Sequence, residues 1–139
     1  MTLPPALVDT NVVVAGLLTT DGSAPTAQIL DGMLHGSFEF VVSVDVLAEY
    51  RTVLLRSKIR RRHGLSDEDV DALLQQIALC AMVVPPLASA PSAPDRGDDH
   101  LWALLAAVPH AVLVTGDALL HREPPAPTRV VTAREFVQS

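Results

Sequence analysis

The chain has 139 residues, 49% of them apolar, with a formal net charge of −6 and a single cysteine. That length suits one domain over residues 1–139, and that apolar content excludes global disorder. The lone Cys80, set in an apolar segment, excludes a disulfide framework and argues against thiolate metal ligation, and the acidic balance argues against a general nucleic-acid binder.

Ala6 to Asp9 reads as a buried strand ending in a carboxylate, and the chain turns at Thr10-Asn11 into a helix reaching Leu18. After a loop, Pro25 suits the first turn of a helix that runs to His35 and stops at Gly36. Phe38 to Ser43 reads as the second strand. Ser43 can cap a long helix from Val44 towards Arg62, which Gly64 ends. Ser66 and Asp69 resemble a capping box over a helix whose apolar stripe is Val70, Leu73, Leu74, Ile77 and Ala81. Ala81 to Val84 is a short third strand. The proline-rich run from Pro85 to Gly97 reads as a connection within the domain. A helix then starts at Asp98 or Asp99 and reaches Val108, Val112 to Thr115 is the fourth strand, and Arg129 to Val131 is the fifth. Thr132 with Glu135 forms a last capping box. Strands alternating with helices predict an α/β fold, a mostly parallel sheet of about five strands with helices on both faces. No basic region precedes an apolar stretch, and the apolar runs fall short of the roughly 20 residues that cross a bilayer, so a cytoplasmic chain without signal peptide or membrane partner is expected.

Four acids share a pattern in this order of elements. Asp9 and Asp117 each end a strand, and Asp99 begins a helix entered from the strand side. In an open parallel sheet that edge is where ligands bind. Glu49 comes from the helix after the second strand, with Val46 and Val53 as its helical neighbours, and a carboxylate on a partly apolar face needs a partner. Clustered carboxylates can hold one Mg²⁺ or Mn²⁺, or two ions bridged by phosphate oxygens. Taken singly, each acid reads as a turn residue, a cap or a solvated helix residue; the shared placement favours a site.

Short motifs around these acids resemble those of the PIN-domain nucleases, especially the VapC-like toxins of bacterial toxin–antitoxin pairs. LVDTNVVVAGLL carries Asp9 and Asn11, SVDVLAEYRTVL carries Glu49, and DDHLWALLAA followed by VLVTGD carries Asp99 and Asp117. The ending VVTAREFVQS is similar to one PIN toxin subgroup. The resemblance implies a Mg²⁺- or Mn²⁺-dependent endoribonuclease on a three-layer α/β/α sandwich, with a cognate antitoxin protein and commonly a homodimer. It makes Asp9, Glu49, Asp99 and Asp117 catalytic metal ligands, with Asn11 and Thr115 as polar supports. Asp99 has the family's spacing from the Thr115-Gly116-Asp117 turn, which leaves Asp98 a supporting residue. Relatives in the subgroup often carry another acid soon after that turn; here Ala118-Leu119-Leu120 follows, which removes the usual fifth ligand.

Six of the ten cationic residues lie between Arg51 and Arg62. Such a patch can meet phosphate, and Arg51, Arg56, Lys58 and Arg60 are the candidates for RNA contact. The plainer reading is a solvated helix end, where cations suit the macrodipole. Trp102, beside Leu101, Leu104 and Leu105, reads as core. An aspartyl phosphohydrolase needs a second Asp two residues after Asp9, where Asn11 stands. A receiver domain needs a lysine at the site, and Lys58 is the only one. No Gly-x-Gly-x-x-Gly follows the first strand, which excludes a dinucleotide fold. The remaining rival is a catalytically inactive PIN-like module that binds RNA or a protein.

Overall fold

Residues 4–85, 99–124 and 128–138 are described by a computed structural model. Asp98 and residues 86–97 of the proline-rich run lie outside them. Five short strands, β1 (Ala6–Val8), β2 (Val41–Val42), β3 (Met82–Val83), β4 (Val112–Val114) and β5 (Arg129–Val131), all pair in parallel. One ladder runs β1-β4-β5 and another β2-β3. A bridge between Ala6 and Phe40, with the Ala6 amide donating to the Glu39 carbonyl at 3.0 Å, joins them in the order β3-β2-β1-β4-β5. Ala6, Leu7 and Val8 are all fully buried. Successive strand side chains point to opposite faces, so helices must cover both sides of the sheet at β1. That is the α/β layering expected from the alternation of elements.

The helices are α1 (Thr10–Leu18), α2 (Pro25–His35), α3 (Val44–Leu54), α4 (Ser57–His63), α5 (Asp67–Cys80), α6 (Asp99–Ala107), α7 (Ala118–Arg122) and α8 (Ala133–Gln138). Their ends follow local chemistry. The Ser43 hydroxyl accepts from the Val46 amide at 3.1 Å, and Ser66 and Asp69 exchange both bonds of a capping box. Gly36 and Gly64 take the left-handed conformation that ends α2 and α4. Trp102 is buried, as its neighbours predict. Among the described residues no helix is long and apolar enough to cross a membrane.

Besides the second strand, which shortens from Phe38–Ser43 to Val41–Val42, two elements differ from the sequence reading. The long helix expected from Val44 to Arg62 breaks at Leu55-Arg56, where Arg56 is extended. His63 closes the break: its Nδ1 accepts from the Leu65 amide at 2.9 Å, so Nε2 carries the proton and donates to the Leu54 carbonyl at 2.8 Å. A carbonyl left open at the end of α3 thus finds its donor nine residues on. The second difference is α7, a five-residue helix in a stretch read only as following the turn; Asp117 caps it through the Leu119 amide at 2.9 Å.

Candidate functional site

The register of β1 against β4 fixes the centre of the site. Val8 pairs with Val114, and the Asp9 amide donates to the Val114 carbonyl at 2.9 Å. Asp9 and Thr115 therefore leave the sheet side by side at its C-terminal edge. Asp9 is only 7% exposed, and protein donors hold both oxygens of its carboxylate. Oδ1 accepts from the Thr10 amide at 2.8 Å; Oδ2 accepts from the Thr115 hydroxyl at 2.7 Å and the Asn11 amide at 3.2 Å.

Thr115, fully buried, is the hub. Its hydroxyl donates to Asp9 and accepts from the Asp117 amide at 3.0 Å and from Asn11 Nδ2 at 3.3 Å. Asn11 returns to the same loop, its Oδ1 accepting from the Gly116 amide at 3.1 Å. The Thr115 carbonyl accepts a hydrogen bond from His121 Nε2 at 2.8 Å. The loop after β4 is thereby tied to the loop after β1 by side chains as well as by the sheet ladder. Burial raises the Asp9 carboxyl above its ordinary range; the Thr115 and Thr10 hydrogen bonds oppose the rise, the negative Asp117 adds to it, and His100 slightly offsets it.

Glu49 approaches from α3 and is half-buried. Its neighbour Tyr50 is fully buried and donates its hydroxyl to the Val8 carbonyl, the last of β1, which anchors α3 beside Asp9. Burial, with the Asp9 charge as a lesser cause, pushes the phenol far above its usual value, so it stays a donor. Asp9, Asn11, Glu49 and Asp117 line one cleft of about 700 Å³, together with Val14, Leu18, Val53 and Ile59. Asp99 is exposed in the first turn of α6, outside the lining of that cleft. The fold thus draws three of the four acids to one cleft and leaves the fourth at its helix start. Among the described residues, no three His, Cys, Asp or Glu side chains stand close enough together to hold one metal ion.

The basic stretch divides in a way that its sequence does not announce. Arg51 pairs with Asp71 at 2.8 Å and Arg60 with Asp67 at 2.5 Å, both on the exposed surface. Lys58 is exposed and outside the cleft lining. Of the four candidates for RNA contact only Arg56 lines the cleft, and Arg62, which was not among them, joins it. The expected continuous helix hid this partition: the break at Leu55-Arg56 resets the faces of α4 relative to α3.

A family model described as PIN domain matches residues 5–119. Comparison with curated proteins gives no match. The matched stretch contains Asp9, Glu49, Asp99 and Asp117, while β5 and α8, the latter packed on α2, lie beyond it.

Proposed function

The chain belongs to the PIN-domain family, whose members are generally nucleases, and from that premise we propose that it is a metal-dependent endoribonuclease, the toxin of a toxin–antitoxin pair. The observation that carries this reading is the joined corner of Asp9 and Asp117, knit through Thr115 and Asn11 in a cleft that also presents Glu49, Arg56 and Arg62.

The donor set fits Mg²⁺ or Mn²⁺. All its ligating groups are hard oxygens, and Mg²⁺ commonly takes only one or two carboxylates and keeps its waters. Asp9 accepts three hydrogen bonds and Asp117 one, which leaves lone pairs on both. A cation also offsets the mutual repulsion of the two. On this reading Asp9 and Asp117 would hold the ion, with Glu49 from α3 and Asp99 from α6 completing the acid set. When bound, the ion supplies Lewis-acid polarisation of phosphoryl oxygen and a more acidic water. The chain's own part is preorganisation. Thr115 and Asn11 fix the Asp9 carboxylate, Tyr50 fixes the helix that brings Glu49, and the guanidiniums of the cleft balance phosphate charge. Water adds at phosphorus, one P–O ester bond breaks, and the departing oxygen leaves as a hydroxyl with the proton that the water gives up. A cytoplasmic homodimer held silent by an antitoxin completes the reading.

One observation favours a second reading, a PIN-like module that binds RNA or protein without cutting: the absence, among the described residues, of a three-acid metal group. Calorimetric Mg²⁺ titration followed by an RNA cleavage assay, each repeated with Asp9→Asn, separates the two. Metal uptake and cleavage that both vanish in the variant support the nuclease. Cleavage that survives the substitution overturns it.

A further inference from the structure

The six cations of the basic stretch fall into three classes. Lys58 and Arg61 are exposed, outside the cleft lining and without an ion pair among the described residues. Arg51 and Arg60 are spent on Asp71 and Asp67. Arg56 and Arg62 line the cleft, and among the described residues neither forms an ion pair. Between them, three residues from each, Ile59 also faces the cleft. Ile59 and Arg62 lie three apart on one side of α4, and Arg56 stands at its N-cap, so the helix with its cap presents to the cleft a row of cation, aliphatic side chain and cation. The six steps from Arg56 at the N-cap to Arg62 span roughly 9 Å at helical rise. Val14, Leu18 and Val53 extend the aliphatic strip.

Two unpaired guanidiniums facing a cleft whose far chemistry is acidic make a cation-lined approach to the acids, not a self-neutralising surface. A double helix offers such a row mainly phosphates and buries its base faces in the stack. A single strand offers phosphates at intervals with unstacked bases between them, which matches cations flanking an aliphatic strip. We propose that Arg56, Ile59 and Arg62 form the strand-binding track of this chain: the two guanidiniums clamp backbone phosphates of a single-stranded nucleic acid, and Ile59 with its aliphatic neighbours receives the base between them. The assignment rests on the nuclease reading for the identity of the polyanion. It differs from that reading in claiming that only two of the six clustered cations carry recognition.

The test is a salt titration of affinity. A fluorescein-labelled single-stranded RNA oligonucleotide binds the full chain carrying Asp9→Asn, so that it is not cut, and anisotropy is read across a series of KCl concentrations in Mg²⁺. Each phosphate contact in a single strand contributes about 0.7 to the slope of log K against log salt. Arg56→Gln and Arg62→Gln are expected each to weaken binding roughly tenfold and to flatten the slope by about 0.7, and together by about 1.4. Arg51→Gln and Arg60→Gln leave the slope unchanged. Ile59→Ser weakens binding without changing the slope. Equal losses from all four arginines mean a diffuse field and overturn the track. So does an unchanged slope in the cleft variants, tighter binding of a duplex than of the strand, or binding of an acidic peptide and no strand. A single-stranded DNA oligonucleotide of the same sequence reports whether the track reads the sugar. If the strand binds as expected but the unsubstituted chain cuts nothing, the nuclease reading falls and the track stands; if the chain cuts and the slopes do not move, the reverse holds.

Discussion

Asp9 and Asp117 stand at the ends of neighbouring strands, while Glu49 and Asp99 ride on α3 and α6. The strand-borne pair is locked: a ladder in fixed register sets the backbone, and one threonine hydroxyl touches both residues. The helix-borne pair is carried by helices that no strand ladder holds in register. Glu49 is half-buried and depends on the Tyr50 anchor, and Asp99 is exposed. Backbone ladders tolerate little drift, whereas a packed helix can slide by a fraction of an ångström without losing its contacts. The comparison teaches that the chain invests its rigidity in half of the acid set, and that this half also holds the unfavourable buried charge.

The largest expected effect comes from breaking the locked half at its charge. Asp9→Asn is expected to lower RNA cleavage by at least about 10²-fold while the melting temperature stays level or rises. The rise has a definite sign. The folded carboxyl binds its proton more tightly than the unfolded one, so its contribution to stability is fullest below the ordinary value and is lost as pH rises through the folded value. At neutral pH the charge is therefore a net cost that Asn removes. Melting curves of the metal-free chain and the variant between acid and neutral pH check this: the gap between them should widen in the variant's favour as pH rises. A variant that is less stable throughout would show that the hydrogen bonds outweigh burial.

Next in size is the hub. Thr115→Val keeps the shape, removes a donor from Asp9 and strands the Asp117 amide, so it is expected to cost about 1–3 kcal/mol by urea unfolding. Losing the hydroxyl also removes the chief influence that lowers the Asp9 carboxyl, so the acid side of any pH–activity profile should move to higher pH. Thr115→Ser should restore both properties. The anchor of the helix-borne half follows. Tyr50→Phe leaves the Val8 carbonyl without its donor and is expected to cost about 1–2 kcal/mol. Through Glu49 it should lower kcat several-fold and spare KM. Loss confined to KM would place Tyr50 outside the positioning of Glu49.

Where local chemistry decided the structure, the sequence was readable. Pro25, Gly36, Gly64 and the Ser66–Asp69 box mark ends that the fold keeps within a residue or two, and the apolar runs of β1 and β4 mark the buried centre. The joining of Asp9 to Asp117 was readable too, because a parallel sheet sends the ends of its strands to one edge. What stayed hidden depends on partners distant in the chain. His63 breaks a helix by capping Leu54, and Asp71 and Asp67 draw Arg51 and Arg60 away from the cleft. Neither has a signature at short range. Asp117 hid α7 for another reason: one carboxylate is both a candidate site acid and a helix cap, and the first reading masked the second.

The smallest effect is expected at Asp99, and it bears most directly on the contrast between the two halves. An exposed carboxylate at a helix start adds little to stability, so Asp99→Asn should shift unfolding by less than about 0.5 kcal/mol. If Asp99 supports the ion through an intervening water, the Mg²⁺ concentration at half-maximal cleavage should rise roughly 10-fold, with kcat recovered at saturating metal. If Asp9 holds the ion as proposed, such recovery has no counterpart there, because added metal cannot replace a ligand lost from the hydrogen-bonded corner. A loss at Asp99 as deep as that at Asp9, and as resistant to Mg²⁺, would mean that α6 swings its first turn into the cleft when metal binds, and that the rigid half is completed by a moving one.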